Sequence, residues 1–84
     1  MEEKLIGRVT HYFTKLGVAI IELTDGELRV GQTIHVKGHT SDFTQEVDSL
    51  QIERKPVEAG KKGESVGLKT AEHAREHDQV YVVQ

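Results

Sequence analysis

Eighty-four residues make one small domain, near the lower limit of what folds without staples. There is no cysteine, so disulfides and thiolate metal sites are excluded and stability rests on the 36% of residues that are hydrophobic. A formal charge of −3, with acids and bases interspersed, excludes a general electrostatic grip on nucleic acid but leaves room for a local basic patch.

The chain begins Met1-Glu2-Glu3-Lys4, acidic and without an apolar stretch of signal-peptide length. No apolar run approaches the roughly 20 residues of a membrane span. A cytoplasmic protein of a reducing compartment, with no membrane contact, is expected. The initiator methionine and short tail fit a complete small gene product, with a domain cut from a longer chain as the alternative, and in either case one domain over residues 1–84. Ten valines and five isoleucines, against one proline and no asparagine, favour strands, because β-branched side chains pack well on a pleated surface.

Leu5 to Phe13 alternates Leu5, Gly7 and Val9 with Arg8 and Thr10, the period of a half-buried strand. After a break at Lys15-Leu16-Gly17, Gly17 to Leu23 is a short β-branched apolar run. Asp25-Gly26 and Gly31 signal turns, and Thr33 to Lys37 alternates again with Ile34 and Val36 inward. From Phe43 the apolar phase is odd (Phe43, Val47), then even at Leu50 and Ile52, which predicts a β-bulge near Asp48-Ser49. Pro56 and Gly60 to Gly63 frame a turn, and Val66 and Leu68 face inward from the next strand. Ala71 to Glu76 carries good helix formers, enough for a single turn, and Val80 to Val83 closes the chain. Six strands with no room for crossover helices predict a small closed six-stranded antiparallel β-barrel of Greek-key type, since closure leaves fewer exposed edges.

Particular residues resemble a known family. Gly17, Gly26, Leu28, Arg29, Val30, Gly31, Ile34 and Val36 match the first half of the β-barrel second domain of elongation factor Tu. Gly60, Gly63, Glu64, Val66 and Gly67 match that barrel's later strand entry, and Gln79-Val80 its last strand. Gly7 to Phe13 and Thr40 to Gln51 resemble two relatives of the barrel. One is a free-standing translation elongation factor-like protein, taken as the nearest; the other is the C-terminal barrel of collagenase-like peptidases, members of which are linked to tRNA modification. The resemblance covers about residues 5 to 84 and implies a translation-protein barrel that binds RNA or a ribonucleoprotein, tRNA or the ribosome. The alternative it implies is a protein-interaction module acting in trans with an enzyme such as a collagenase-like peptidase, through apolar surface beside an edge strand. Leu16-Gly17 stands where elongation factor Tu has an arginine beside its glycine, and His77-Asp78 where relatives often have glycine before aspartate. The family's tRNA-end contacts are therefore not carried over.

Chemistry is sparse. Gly60-Lys-Lys-Gly63 is too short for a phosphate-binding loop and leads into a strand, so no GTP binding is expected. Ser41, Ser49 and Ser65 stand in no nucleophile motif, and neither an enzyme activity nor a cofactor is expected. His73 and His77 would share a helical face, with Glu76 or Asp78 as a third ligand, and His35 and His39 form a looser pair. Without a defined third ligand they read as polar surface rather than a metal site. Arg54, Lys55, Lys61 and Lys62 gather at one end of the barrel if residues 50–54 and 64–68 pair as a hairpin. With Lys15, they are the candidate RNA-backbone contacts, and Arg29 and Lys37 add to them. Glu53, Glu58 and Glu64 interleave, so an ordinary solvated turn is the competing reading. Phe13 and Phe43 fall on apolar phases and read as core, while Tyr12, on the polar phase, is the candidate base-stacking ring.

Overall fold

The computed structural model describes residues 2–84. Its strands are β1 (Glu3–Phe13), β2 (Val18–Leu23), β3 (Leu28–Arg29), β4 (Thr33–Lys37), β5 (Asp42–Glu46), β6 (Leu50–Ile52), β7 (Lys55–Val57), β8 (Ala59–Gly60), β9 (Ser65–Lys69) and β10 (Gln79–Val83). Eight of them form one antiparallel sheet in the order β5-β4-β10-β1-β2-β9-β6-β7, and β3 pairs separately with β8. Among the described residues there is no helix, and none long and apolar enough to cross a membrane. Ala71 to Glu76 runs as bends and turns, not as the expected helical turn; Ala74 is buried there among the core residues.

The fold is all-β and antiparallel, as the valine and isoleucine content predicts. The closed six-stranded barrel is corrected: no ladder joins the two ends of the sheet, and β5 and β7 remain edges. The sheet is nonetheless strongly curled. Six strand spacings separate β5 from β6, about 29 Å in a flat sheet at roughly 4.8 Å each. The chain crosses from Glu46 to Leu50 in only four Cα steps, at most about 15 Å. Curling the sheet is the only way to satisfy both lengths.

That crossing also explains the phase slip read as a bulge. Val47 and Leu50 are both fully buried, but the chain between them leaves one end of the sheet and joins the other. Backbone bonds from Gly31 to the Val47 carbonyl (2.8 Å) and from Val47 to the Gln32 carbonyl (2.8 Å) hold the segment in place. At the seam, a side chain does part of what a strand would do. The Gln45 amide donates to the Lys69 carbonyl (3.0 Å) and accepts from the Ala71 amide (2.7 Å). Removing it by Gln45→Ala is expected to lower stability by about 1 kcal/mol in urea denaturation, the net worth of such bonds.

β1 organises the curl. Its first half pairs with β10 and its second with β2, and Gly7 and Arg8 pair on both sides. The register slips between Leu5 and Gly7 against β10, and between Val9 and His11 against β2. Each slip inserts a residue and bends the strand. The simple alternation expected from Leu5, Gly7 and Val9 therefore fails: Ile6 and Val9 are the buried side chains, and Leu5 is half-buried. Inside the curl lie Ile21 and Leu23 of β2, Ile34 and Val36 of β4, Phe43, Leu50, Val66 and Leu68 of β9, and Val80 of β10. Tyr12 packs against this core rather than standing free as a stacking platform, with the His73 ring 4.4 Å from its own.

A candidate docking groove on the outer sheet face

Phe43 is core, as its phase predicts, but Phe13 is 45% exposed. The reason is local. β1 ends at Phe13, whose carbonyl accepts the amides of Leu16 (3.1 Å) and Gly17 (2.8 Å), closing a tight turn. Gly17 takes the left-handed conformation that reverses the chain (φ 68°), and its carbonyl accepts the Thr70 amide at 2.9 Å, tying the turn to the end of β9. The turn cannot face the core, and it lifts Leu16 into solvent with 66% of its surface free.

Beside this turn the outward side chains of β2 are Val18 and Ile20, both half-buried. Their neighbour across the ladder, opposite Ile20, is Gly67. A Cβ there would stand 3.5 Å from the Ile20 Cδ1 and 3.7 Å from the Val18 Cγ1, so the missing side chain leaves open floor. Past Gly67 come Gln51 of β6 and the Glu53-Arg54 turn. The result is a shallow groove of about 430 Å³ with Phe13 and Leu16 as one wall, Val18, Ile20 and Gly67 as floor, and Glu53 and Arg54 as the other wall. Single exposed apolar side chains are ordinary, whereas a contiguous apolar patch rimmed by charge marks an interaction surface. The Phe13 phase hid this groove from the sequence reading. The signal that points to it is Leu16, an apolar residue at a turn apex.

The basic residues expected to gather do not. β6 and β9 do pair antiparallel, at Gln51 and Gly67, but β7 and β8 intervene in the chain, so residues 50–54 and 64–68 are not one hairpin. Arg54 lies at the groove rim, and Lys55 opens the edge strand β7 opposite Ile52. Lys61 and Lys62 sit at the other end of β2, where the Leu23 amide meets the Glu64 carbonyl (2.9 Å) and Gly63 the Leu23 carbonyl (2.7 Å). Lys62 faces a separate concavity with Lys4, Glu27 and Gln84. Lys15 occupies the β1–β2 turn, near the groove and away from Lys61 and Lys62. The five cations thus divide between two ends of the sheet.

The histidines also separate. His73 stacks on Tyr12, and His77 is in a left-handed turn (φ 75°) with its amide on the Val9 carbonyl (2.8 Å). Among the described residues no three His, Asp or Glu side chains are grouped to hold a metal ion. His35 is different. Its Nδ1 meets Glu3 Oε2 at 2.7 Å and its Nε2 meets Asp42 Oδ1, so one ring links β1, β4 and β5 on the outer face. Two carboxylates ask both ring nitrogens to donate, which only the imidazolium can do.

The hydrogen bond to Asp42 accordingly raises the His35 pKa above its ordinary 6.5; burial opposes this and Glu3 supports it. Asp42 is held below its ordinary 3.8, chiefly by His35. A raised histidine pKa stabilises fully below 6.5 and fades as pH climbs through the folded value. The lowered Asp42 pKa stabilises above 3.8 and fades as pH falls through the folded value. The bracket is therefore complete in mild acid. The Tm of the unaltered chain should fall more between about pH 6 and about pH 9 than that of His35→Gln, measured by thermal melts in parallel buffers.

With the geometry in place, comparison with known proteins gives a setting. No family model matches the chain. An uncharacterized protease of Methanocaldococcus jannaschii is 46% identical over 79 residues, which are 93% of this chain and 19% of the protease. A collagenase of Porphyromonas gingivalis is 32% identical over 81 residues, 95% of this chain and 22% of the collagenase. The similarity is to one part of a peptidase. The chain spans about a fifth of the length of the curated relatives it matches. In structure, the C-terminal domain of a Geobacillus thermoleovorans putative U32 peptidase superposes with a TM-score of 0.88 over 96% of this chain and 93% of that one; at 18% identity this shows the fold alone. The expected resemblance to collagenase-like peptidases is met. The translation-factor reading, with RNA or the ribosome as the bound partner and an elongation factor-like protein as nearest relative, is overturned by these names: the matched proteins are a protease and collagenases.

Proposed function

We propose that this domain is a non-catalytic docking module for a collagenase-like peptidase, and that the Phe13–Leu16 groove is the face it docks with. The exposure of Phe13 and Leu16 beside half-buried Val18 and Ile20 carries the reading, because covering such a patch removes apolar surface from water. The relatives support the choice of occupant: a similar segment makes up 19% to 22% of the protease and the collagenase, and the remainder of such an enzyme is the surface proposed to cover the groove. Docking in trans and docking within one chain use the same face.

The sheet edges are poor alternatives. β7 has Pro56 at its centre, which removes a backbone donor, and β5 already engages the far end of β9 through the Gln45 side chain.

Hydroxyl-radical footprinting tests the proposal. The Methanocaldococcus protease is prepared with this chain in place of its own 79 matching residues, and oxidation of Phe13 and Leu16 is compared with the free 84-residue chain. Both side chains should react about ten-fold more slowly in the chimera. Equal reactivity in the two settings would refute docking through this face.

A further inference from the structure

The β6–β7 turn is built from unsuitable residues. Ile52 and Lys55 pair across the hairpin, leaving a two-residue connection. Both of those residues are left-handed, Glu53 with φ 51° and Arg54 with φ 67°. Such turns favour asparagine and glycine, because a Cβ crowds the backbone in this conformation. Here two long charged side chains hold both positions. Neither recovers the loss through an ion pair: among the described residues the pairs are Arg8 with Glu22, and His35 with Glu3 and Asp42. Both residues line the groove, facing the Phe13–Leu16 wall across the Gly67 floor. Backbone strain kept without local compensation at a binding surface is a mark of function.

We infer that Arg54 determines partner specificity at this groove, pairing with a carboxylate that borders the apolar side chain seated between Leu16 and Gly67. The inference rests on the docking reading above. The charged side chains lining the groove are Glu53 and Arg54, and of the two only the Arg54 guanidinium attracts a carboxylate. A guanidinium offers two parallel donors to a carboxylate, and apolar walls strengthen that pair relative to open water. The fitting partner surface is one large apolar residue with one carboxylate next to it.

Three variants in the same chimeric protease test this. Arg54→Gly relieves the turn, so the Tm of the free 84-residue chain should rise. The docking constant read from Leu16 protection should nevertheless fall about ten-fold, and its salt dependence should disappear. Arg54→Glu should weaken docking further, and Arg54→Lys should restore part of it without the bidentate geometry. If Arg54→Gly raises the Tm and docks like the unaltered chain with the same salt response, the inference is overturned while the docking reading stands. If Leu16 is unprotected in the unaltered chimera, both fall.

Discussion

Gly7→Ala is expected to remove about 3 kcal/mol of folding stability, out of a total on the order of 5 kcal/mol for a chain this small. A Cβ at this position would stand 2.1 Å from the Glu22 carbonyl oxygen, 3.0 Å from its carbon and 3.2 Å from the Leu23 Cα. All three are backbone atoms, so no side-chain rotation relieves the overlap. β1 and β2 must part where Gly7 faces Leu23, next to the register slips that bend β1. Because Gly7 pairs on both sides, the β10 ladder is disturbed as well. Gly67→Ala supplies the contrast. Its nearest neighbour would be the Ile20 Cδ1 at 3.5 Å, an ordinary contact, and the expected change is about 0.5 kcal/mol or less. Urea denaturation of the two variants separates the cases. Equal midpoints would show that close backbone approach at Gly7 is not what excludes a side chain.

Leu16→Glu is expected to act oppositely, sparing the fold and removing docking. Leu16 is 66% exposed and its side chain makes none of the turn's hydrogen bonds, so stability should stay within about 0.5 kcal/mol. At a docked interface the same change places a carboxylate in an apolar contact and loses the leucine's burial. A loss of about 3 kcal/mol is expected, more than a hundred-fold in the docking constant. Phe13→Ala should weaken docking less, since more of its ring is already shielded. In the chimeric protease, Phe13 oxidation in Leu16→Glu should return to the rate seen in the free chain. Retained protection would mean that the enzyme body covers Phe13 through contacts other than this groove.

The class of fold was readable because β-branched residues and glycine turns repeat at short intervals, and Ile34, Val36, Val66, Leu68 and Val80 all face the core as their periods require. Closure was not readable. Whether two edge strands meet depends on distant geometry, and here the Gln45 amide and the Val47 crossing take the place of a ladder. The phase slip between Val47 and Leu50 was visible, but a bulge and a change of sheet end leave the same mark on the sequence. The slips in β1 moved burial from Leu5 to Ile6, which alternation alone cannot foresee. His77 was visible as a departure from glycine, and its positive φ shows why glycine suits that position. The groove was half-legible. Leu16 was visible at a chain break, but residues 50–54 read as one strand with no turn at Glu53-Arg54, and Phe13 took the phase of a core residue and ended at the strand's exposed tip.

The central claim, that the Leu16 face is covered by a peptidase body, is tested most directly by methyl NMR. In the deuterated chimeric protease, the methyl groups of Leu16, Val18 and Ile20 are labelled and nuclear Overhauser contacts are recorded to protons outside the 84 residues. Contacts from all three methyl-bearing residues, absent in Leu16→Glu, are the predicted result. Methyl shifts identical to those of the free chain, with no contact beyond it, would contradict the account.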